Sequence, residues 1–369
     1  MQTQVLNALR TVNDPDLKKD LVTLNMIRDL EVSPSGDVSL RVVLTTPACP
    51  LKAKIEADVK AAVSSVPGVK NISIKMDAEV RGKTANVNGP GQGQAIPGVT
   101  HIIAVSSGKG GVGKSTVAVN LACALSLEGA RVGLMDADIY GPNTPTMMGV
   151  IGEPKVQQHP EKGETFVPPT AHGISVMSMG FLVQGDQPVV WRGPMLHSVV
   201  SQFCHKVNWG TLDYLVIDMP PGTGDVQLSL AQLVPVTGAV MVSTPQEVSM
   251  QDVRKAFNMY DKVRIPVLGV VENMSFFICD SCDKKHDIFG SGGGKKLAAK
   301  FGTELLAEIP LVPAVRRGGD EGTPIVIGSP NSEVAKAFRS LAQKVAQQVS
   351  ISSAKSVDPS QLIQIGKFN

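Results

Sequence analysis

The sequence predicts an α/β protein: a mainly parallel sheet flanked by helices, preceded by a small N-terminal α+β domain. Three observations lead there. From Val99 onward, short continuous apolar runs alternate with helix-spaced stretches, as expected of strands buried on both faces of a parallel sheet. The chain carries 36 glycines and 25 prolines but only 4% aromatic residues, which suits many tight strand–helix turns. Before residue 80 the pattern differs, and the two regions are separated by "GKTANVNGPGQGQAIPG", residues 82–98. That stretch holds five glycines and two prolines with no apolar period, and reads as a flexible linker.

In order along the chain, Gln4–Thr11 reads as a short helix and Ile27–Val32 as a strand. "SPSGD" is a turn into a second strand, "DVSLRVVLT". Pro50 sits where helices begin, and "LKAKIEADVKAAVSSV" has helical spacing. "GVKNISIKM" is a third strand, so the first 80 residues read αββαβ. Beyond the linker, "HIIAVSS" is a buried strand and "STVAVNLACALSLEG" a helix closed by Gly129. "RVGLMDAD", "YLVID", "GAVMVSTP" and "VLGVVENM" are further strands, and Glu333–Val349 is a final helix. The expected division is 1–80, a linker at 81–98, a large domain at 99–350 and a poorly ordered tail at 351–369.

Bulk properties exclude several functions. Apolar content of 43% marks a folded chain. Net charge is +2, from 35 basic and 33 acidic residues, so nothing calls for nucleic acid as an electrostatic partner. The N-terminus has no apolar signal core, and no run approaches a membrane span. Five cysteines, an odd and sparse set, read as reduced thiols of a cytoplasmic protein.

Directly after the first strand of the large domain comes "GKGGVGKST": Gly108, Lys109, Gly110, Gly111, Val112, Gly113, Lys114, Ser115 and Thr116. It fits G-x-x-x-x-G-K-[ST] in a strand–loop–helix context, the P-loop of ATP-binding proteins. Gly110, Gly111 and Gly113 permit torsions that side chains would block, and the loop N–H groups can then cradle phosphate. Lys114 is expected to reach the β/γ-phosphates and Ser115 to bind Mg²⁺. "YLVIDMPPG" ends a strand on Asp218, placing a carboxylate for the Mg²⁺ shell beside the phosphates, with Gly222 in the loop that follows. "LMDADIYGP" presents Asp136 and Asp138 two apart, so both can face one site.

Lys109 is not required by the plain motif. With it, the loop resembles the deviant Walker A ATPases, the MinD, ParA and nitrogenase iron-protein group. That resemblance implies that Lys109 crosses to the nucleotide of a second subunit in a homodimer. It also implies that Asp138 orients the attacking water, that Asp136 supports the metal, and that Asn273, ending a late strand, reads adenine.

Cys279 and Cys282 follow Asn273 within "SFFICDSCDKKHDIFG". Their C-x-x-C spacing lets both sulfurs ligate one metal centre. A redox dithiol would open a helix, whereas "CDSCDKKHD" is acidic and loop-like. Zinc could take His286 as a third ligand, with Asp280, Asp283 or Asp287 as a fourth. If the chain dimerises about a two-fold axis, two plus two thiolates match a [4Fe–4S] cluster, and a shared Cys₄ zinc site meets the same count.

"AVSSGKGGVGKST", "DADIYGPNTPTMMG", "VWRGPM", "DYLVIDMPPGTGD", "TPQEVSMQDVRKAF", "GVVENMSFFICDSC" and "IFGSGGG" together resemble the Mrp/ApbC family of P-loop ATPases over residues 99–345. Residues 1–80, with "LTTPACPLK", resemble the small iron–sulfur-assembly domain fused to its bacterial members. The resemblance implies an ATPase that carries clusters to apo iron–sulfur proteins alongside cluster-assembly factors. It implies a homodimer bridging a [4Fe–4S] cluster through Cys279 and Cys282, with ATP and Mg²⁺ as cofactors. Cys49, near a helix N-terminus, is either a reactive thiol that handles clusters or a packed turn residue. Cys123 and Cys204 read as core, and "VWRGPM" singles out Arg192 without a mechanism.

Overall fold

The structure is a computed structural model, and it describes residues 1–80, 82, 93–160, 163–182, 193–279, 281–282 and 284–355. By backbone proximity the chain divides into two compact units: Met1–Lys83 with the chain from Ala346 on, and Thr84–Val345.

The first unit contains α1 (Gln2–Leu9), β1 (Ile27–Val32), β2 (Val38–Leu44), α2 (Lys52–Ser64) and β3 (Ile72–Ala78). β2 lies between the other two strands, antiparallel to β1 and parallel to β3. α2 buries Ile55, Val59 and Val63, which recur every four residues and so share one face. They join Val5, Leu9, Leu40, Val42 and Leu44 in one apolar core.

The second unit is built on β4 (Val99–Ser107), α3 (Lys114–Leu127), β5 (Val132–Asp136), β6 (Thr170–Ala171), β7 (Ile174–Ser178), α4 (Gly193–His205), β8 (Leu212–Asp218), α5 (Asp225–Leu233), β9 (Gly238–Ser243), α6 (Glu247–Lys262) and β10 (Val267–Asn273). The hairpin β11 (Phe277–Ile278) and β12 (Lys285–His286) follows, then α7 (Gly293–Phe301) and β13 (Leu305–Ile309). Eight of these strands form one sheet in the order β6-β7-β5-β8-β4-β9-β10-β13. Every pairing is parallel except β6 with β7. All residues of β5, β8 and β9 are buried, because helices cover both faces of the sheet.

This topology positions a site. β4 is central, and chain leaves its carboxyl end for α3 between neighbours β8 and β9. Ligands of open α/β sheets bind in the crevice at such carboxyl ends. α3 is apolar all round, with Val117–Leu125 entirely buried, so it is a core helix whose N-terminus is held rigidly against the sheet.

Two sequence expectations need adjustment. The last helix, α8 (Glu333–Lys355), runs six residues past Val349, so 350–355 are helix and not tail; Ser353 there is buried. Ile96, assigned to the linker, is buried in the core of the second unit, because it caps the apolar edge where β4 begins. The rest of the linker at 83–92, the tail from 356 and Arg192 of "VWRGPM" lie outside the described residues. No described helix is long and apolar enough to cross a membrane.

Ile103 on β4 is fully buried at the centre of the sheet. Ile103→Ala is expected to cost about 2–5 kcal/mol, read as a lowered urea midpoint.

Candidate functional site

The loop between β4 and α3 forms a backbone cradle. Ser107 Oγ donates to the Lys109 carbonyl at 2.9 Å, folding the loop back on the end of β4, and Lys109 itself is half-buried. Gly111 and Gly113 have φ of 78° and 77°, the left-handed region that favours glycine. Gly113 precedes α3, and its carbonyl accepts the first helical bond from Val117 N–H. Val112 is buried and anchors the loop. Gly110 differs from the sequence expectation: it has no positive φ, and a Cβ there would meet no protein atom. Nothing in the chain itself demands glycine at that position; Ser115 and Thr116, half-buried, open the helix.

Two carboxylates converge on Lys114, and a third, Asp136, stands beside them. The side chain of Lys114 is only 6% exposed, and its Nζ lies 2.5 Å from Asp218 Oδ1, 3.3 Å from Asp138 Oδ2 and 3.2 Å from Ser115 Oγ. The sheet register sets this: Asp218 on β8 is the cross-strand partner of Asp136 on β5, and Ser178 on β7 partners Asp136 on its other side. Both oxygens of Asp136 accept hydrogen bonds. Its Oδ1 accepts Asp138 N–H at 3.0 Å, and its Oδ2 accepts Ser178 Oγ–H at 2.9 Å and Thr144 N–H at 3.2 Å. Asp136 therefore shapes the turn that presents Asp138. Asp218 Oδ2, by contrast, is buried with no hydrogen-bond partner, an orphaned acceptor aimed into the site. That oxygen and the Ser115 hydroxyl are a donor set suited to a hard divalent cation. Burial, reinforced by the Asp218 charge, pushes the Asp136 carboxyl up to about 7. Burial also raises Asp218, with Lys114 pulling the other way.

Asn273 ends β10 beside the cradle. Its Nδ2 donates to the Val112 carbonyl at 2.8 Å, and a Cβ at Gly113 would overlap the Asn273 amide. A cavity of about 470 Å³ opens here, lined by Thr116, Asn143, Asn273, Pro310, Val315 and Arg316 among others. Its size fits a nucleoside. Sequence reading selected Asn273 but missed Pro310 and Arg316; the only available signal was a strand end, "AEIPLVPAVRR", with no motif. It also missed Ser178, which a lone "MSMG" does not reveal.

Cys279 and Cys282 sit at the tip of the β11–β12 hairpin. Phe277 pairs with His286 and Ile278 with Lys285, and Cys279 N–H donates to the Lys284 carbonyl at 3.1 Å to close the turn. Cys279 is half-buried and Cys282 exposed, with Ile278 and Ile288 exposed nearby. Among the described residues no three His, Cys, Asp or Glu side chains come together as a metal site, so His286 does not complete a zinc site with the two thiols. Asp280 and Asp283 lie outside the described residues.

The remaining cysteines are thiols. Cys123 and Cys204 are buried, and burial pushes both up to about 12, as fits core residues. Cys49 is half-buried in the first unit and is not activated by its helix. Burial raises it, and Asp14 and Asp16 add to this, against the lowering effect of the Leu51 and Lys52 N–H groups.

The family described as NUBPL iron-transfer P-loop NTPases matches residues 98–346, and that of iron–sulfur cluster assembly proteins matches residues 2–74. The chain is 52% identical over 348 residues to the iron–sulfur cluster carrier protein of Synechocystis sp., covering 94% of this chain and 97% of that one. It is 50% identical over 352 residues to the protein of the same name from Deinococcus radiodurans, covering 95% and 96%. A solved nucleotide-binding protein from Archaeoglobus fulgidus, in complex with ADP, is similar at 37% identity and a TM-score of 0.55, covering 65% of this chain and 92% of that one. The expected fold, a P-loop NTPase with a small N-terminal domain, is the one found.

Two outcomes follow from the titrating groups. Asp136 has a folded-state value above its ordinary one, so its contribution to stability is present below about pH 4 and is lost as pH rises to about 7. Urea unfolding of the nucleotide-free chain is expected to show that decline, and Asp136→Asn to flatten it. Native Cys49 is expected to react with iodoacetamide with a pH midpoint above that of free cysteine, and Asp16→Asn to move the midpoint down.

Proposed function

The chain belongs to the NUBPL iron-transfer P-loop NTPases, and from that premise we propose that it is an ATP-dependent iron–sulfur cluster carrier. In this reading ATP binds at Gly108–Thr116, with its base in the cavity beside Asn273. The β/γ-phosphates take Lys114 as counterion in place of Asp218 and Asp138. Ser115 and Asp218, supported by Asp136, would hold Mg²⁺, which when bound neutralises phosphate charge. Released from Lys114, Asp138 orients the water that attacks the γ-phosphate, while Asp136 and Ser178 keep its turn in place.

Two copies form the working unit, with Lys109 of each reaching the nucleotide of the other. Cys279 and Cys282 of both copies supply four thiolates to one [4Fe–4S] cluster, the cargo. The observation that carries this is the hairpin tip: two thiols three residues apart, Cys279 half-buried and Cys282 exposed, with no third ligand assembled among the described residues. Half a site on an exposed tip suits a cluster that is received and handed to apo iron–sulfur proteins. The protein works in the cytoplasm, where thiols stay reduced, and needs neither membrane nor nucleic acid.

Anaerobic reconstitution with iron and sulfide tests this, with Cys279→Ala/Cys282→Ala alongside. About four irons and four sulfides per dimer, lost in the double variant, are expected. Stoichiometric zinc that resists exchange for a cluster would overturn the reading and leave a zinc-bridged dimer. In the transfer assay, Lys114→Ala is expected to load the cluster normally but to lose the effect of ATP on its delivery to an apoprotein acceptor.

A further inference from the structure

The hairpin that carries the cysteines is rooted at two points, and one buried side chain holds both. Glu272 is fully buried on β10, immediately before Asn273. Its Oε1 accepts the Ser275 hydroxyl at 2.6 Å, and its Oε2 accepts the Gly294 N–H at 2.5 Å. Ser275 begins the excursion that contains Cys279 and Cys282, and Gly294 ends it in the first turn of α7. Neighbouring residues on a strand point to opposite sides. Asn273 accordingly grips the phosphate loop at Val112 while Glu272 grips the excursion.

The contacts are close. A Cβ at Gly294 would come within 2.9 Å of Glu272 Cβ, and one at Gly293 within 2.9 Å of Met250 Sδ on α6. α6 in turn abuts the phosphate loop, since a Cβ at Gly108 would overlap the backbone of Asp252 and Val253. Ser275 N–H is further fixed to the Ile309 carbonyl at 2.9 Å. Both oxygens of this buried carboxylate accept hydrogen bonds, one of them from the first turn of α7, whose positive end faces it. Losing one tie leaves a buried oxygen of Glu272 without a hydrogen-bond partner, which is costly.

We propose that Glu272 is a positioning residue that transmits the state of the phosphate loop to Cys279 and Cys282 by holding both roots of their hairpin. This rests on the reading that the nucleotide and thiolate sites serve one function. Ligand-induced movement at Val112–Gly113 reaches β10 through Asn273, and Glu272 passes it to both ends of the hairpin. The thiols then change exposure without any nucleotide contact of their own.

The test uses the full-length, reduced, metal-free protein, so that its readout does not depend on a cluster. Alkylation of Cys279 and Cys282 by N-ethylmaleimide is followed by peptide mass spectrometry with and without saturating Mg-ATP, and nucleotide affinity is measured with a fluorescent analogue. In the parent protein Mg-ATP is expected to change the alkylation rate several-fold. Glu272→Ala is expected to raise the basal rate and abolish the response, with nucleotide affinity nearly unchanged. Glu272→Gln is expected to restore the response, because its amide can donate to Ser275 Oγ and accept from Gly294 N–H. If Glu272→Ala does not fold, Ser275→Ala decides, since it cuts one root and should blunt the response. A parent protein whose thiols ignore bound Mg-ATP, or a Glu272→Ala or Ser275→Ala protein that responds like the parent, overturns the proposal. Failure of cluster loading with an intact thiol response would instead remove the carrier function and leave this coupling standing.

Discussion

The buried ammonium of Lys114 between Asp218 and Asp138 is the interaction on which the site depends. A cation at the covered end of a parallel sheet cannot remain without counter-charge, and breaking one partner of such a pair leaves the other charge stranded. The demand is met by strand register. β8 ends level with β5, so Asp218 and Asp136 stand side by side, and Asp136 spends its own acceptors on the turn that aims Asp138 at the lysine. An anionic ligand entering the cradle therefore meets a lysine already desolvated and pre-positioned. It has to displace carboxylates, and does not have to strip water from a free ammonium. Asp218 Oδ2 is buried and accepts no hydrogen bond.

Around that centre, glycines let backbones approach where side chains could not. Gly108 lies on α6, Gly113 on Asn273, and Gly293 and Gly294 on α6 and Glu272. The phosphate loop and the first turn of α7, far apart in sequence, thus press on the same two elements, β10 and α6. The hairpin tip is exposed, and its geometry depends on the two ends at which it is anchored. Within the second unit, two adjacent residues of β10 thus bond to Val112 on one side and to Ser275 and Gly294 on the other.

The order of elements, the phosphate loop and the C-x-x-C were legible because each is written in contiguous residues. Apolar runs report strands buried on both faces, and the six-residue glycine frame Gly108–Gly113 reports a loop whose N–H groups turn inward. Other features depended on distant chain. For Cys49 the sequence left a reactive thiol and a packed turn residue equally open, and burial with two aspartates raises its thiol. Gly110 looked indispensable to the loop, yet the chain leaves it free torsions and open space. Glu272 drew no notice in "GVVENMS", since a carboxylate in an apolar strand has no meaning until its partners are known.

By itself the sequence determined that this is an α/β chain with a phosphate cradle, a following core helix, candidate carboxylates at strand ends and a pair of thiols three residues apart. These are local, because a turn or a helix is closed by hydrogen bonds between near neighbours. Only the tertiary structure decided which carboxylates face Lys114, which acceptor stays open, and that Glu272 ties Ser275 to Gly294. Those depend on the order of strands in the sheet and on their register, which bring together residues separated by up to a hundred positions and more. Pairing at that range is selected by how the buried faces and buried charges can all be satisfied at once, and no single stretch of sequence encodes it.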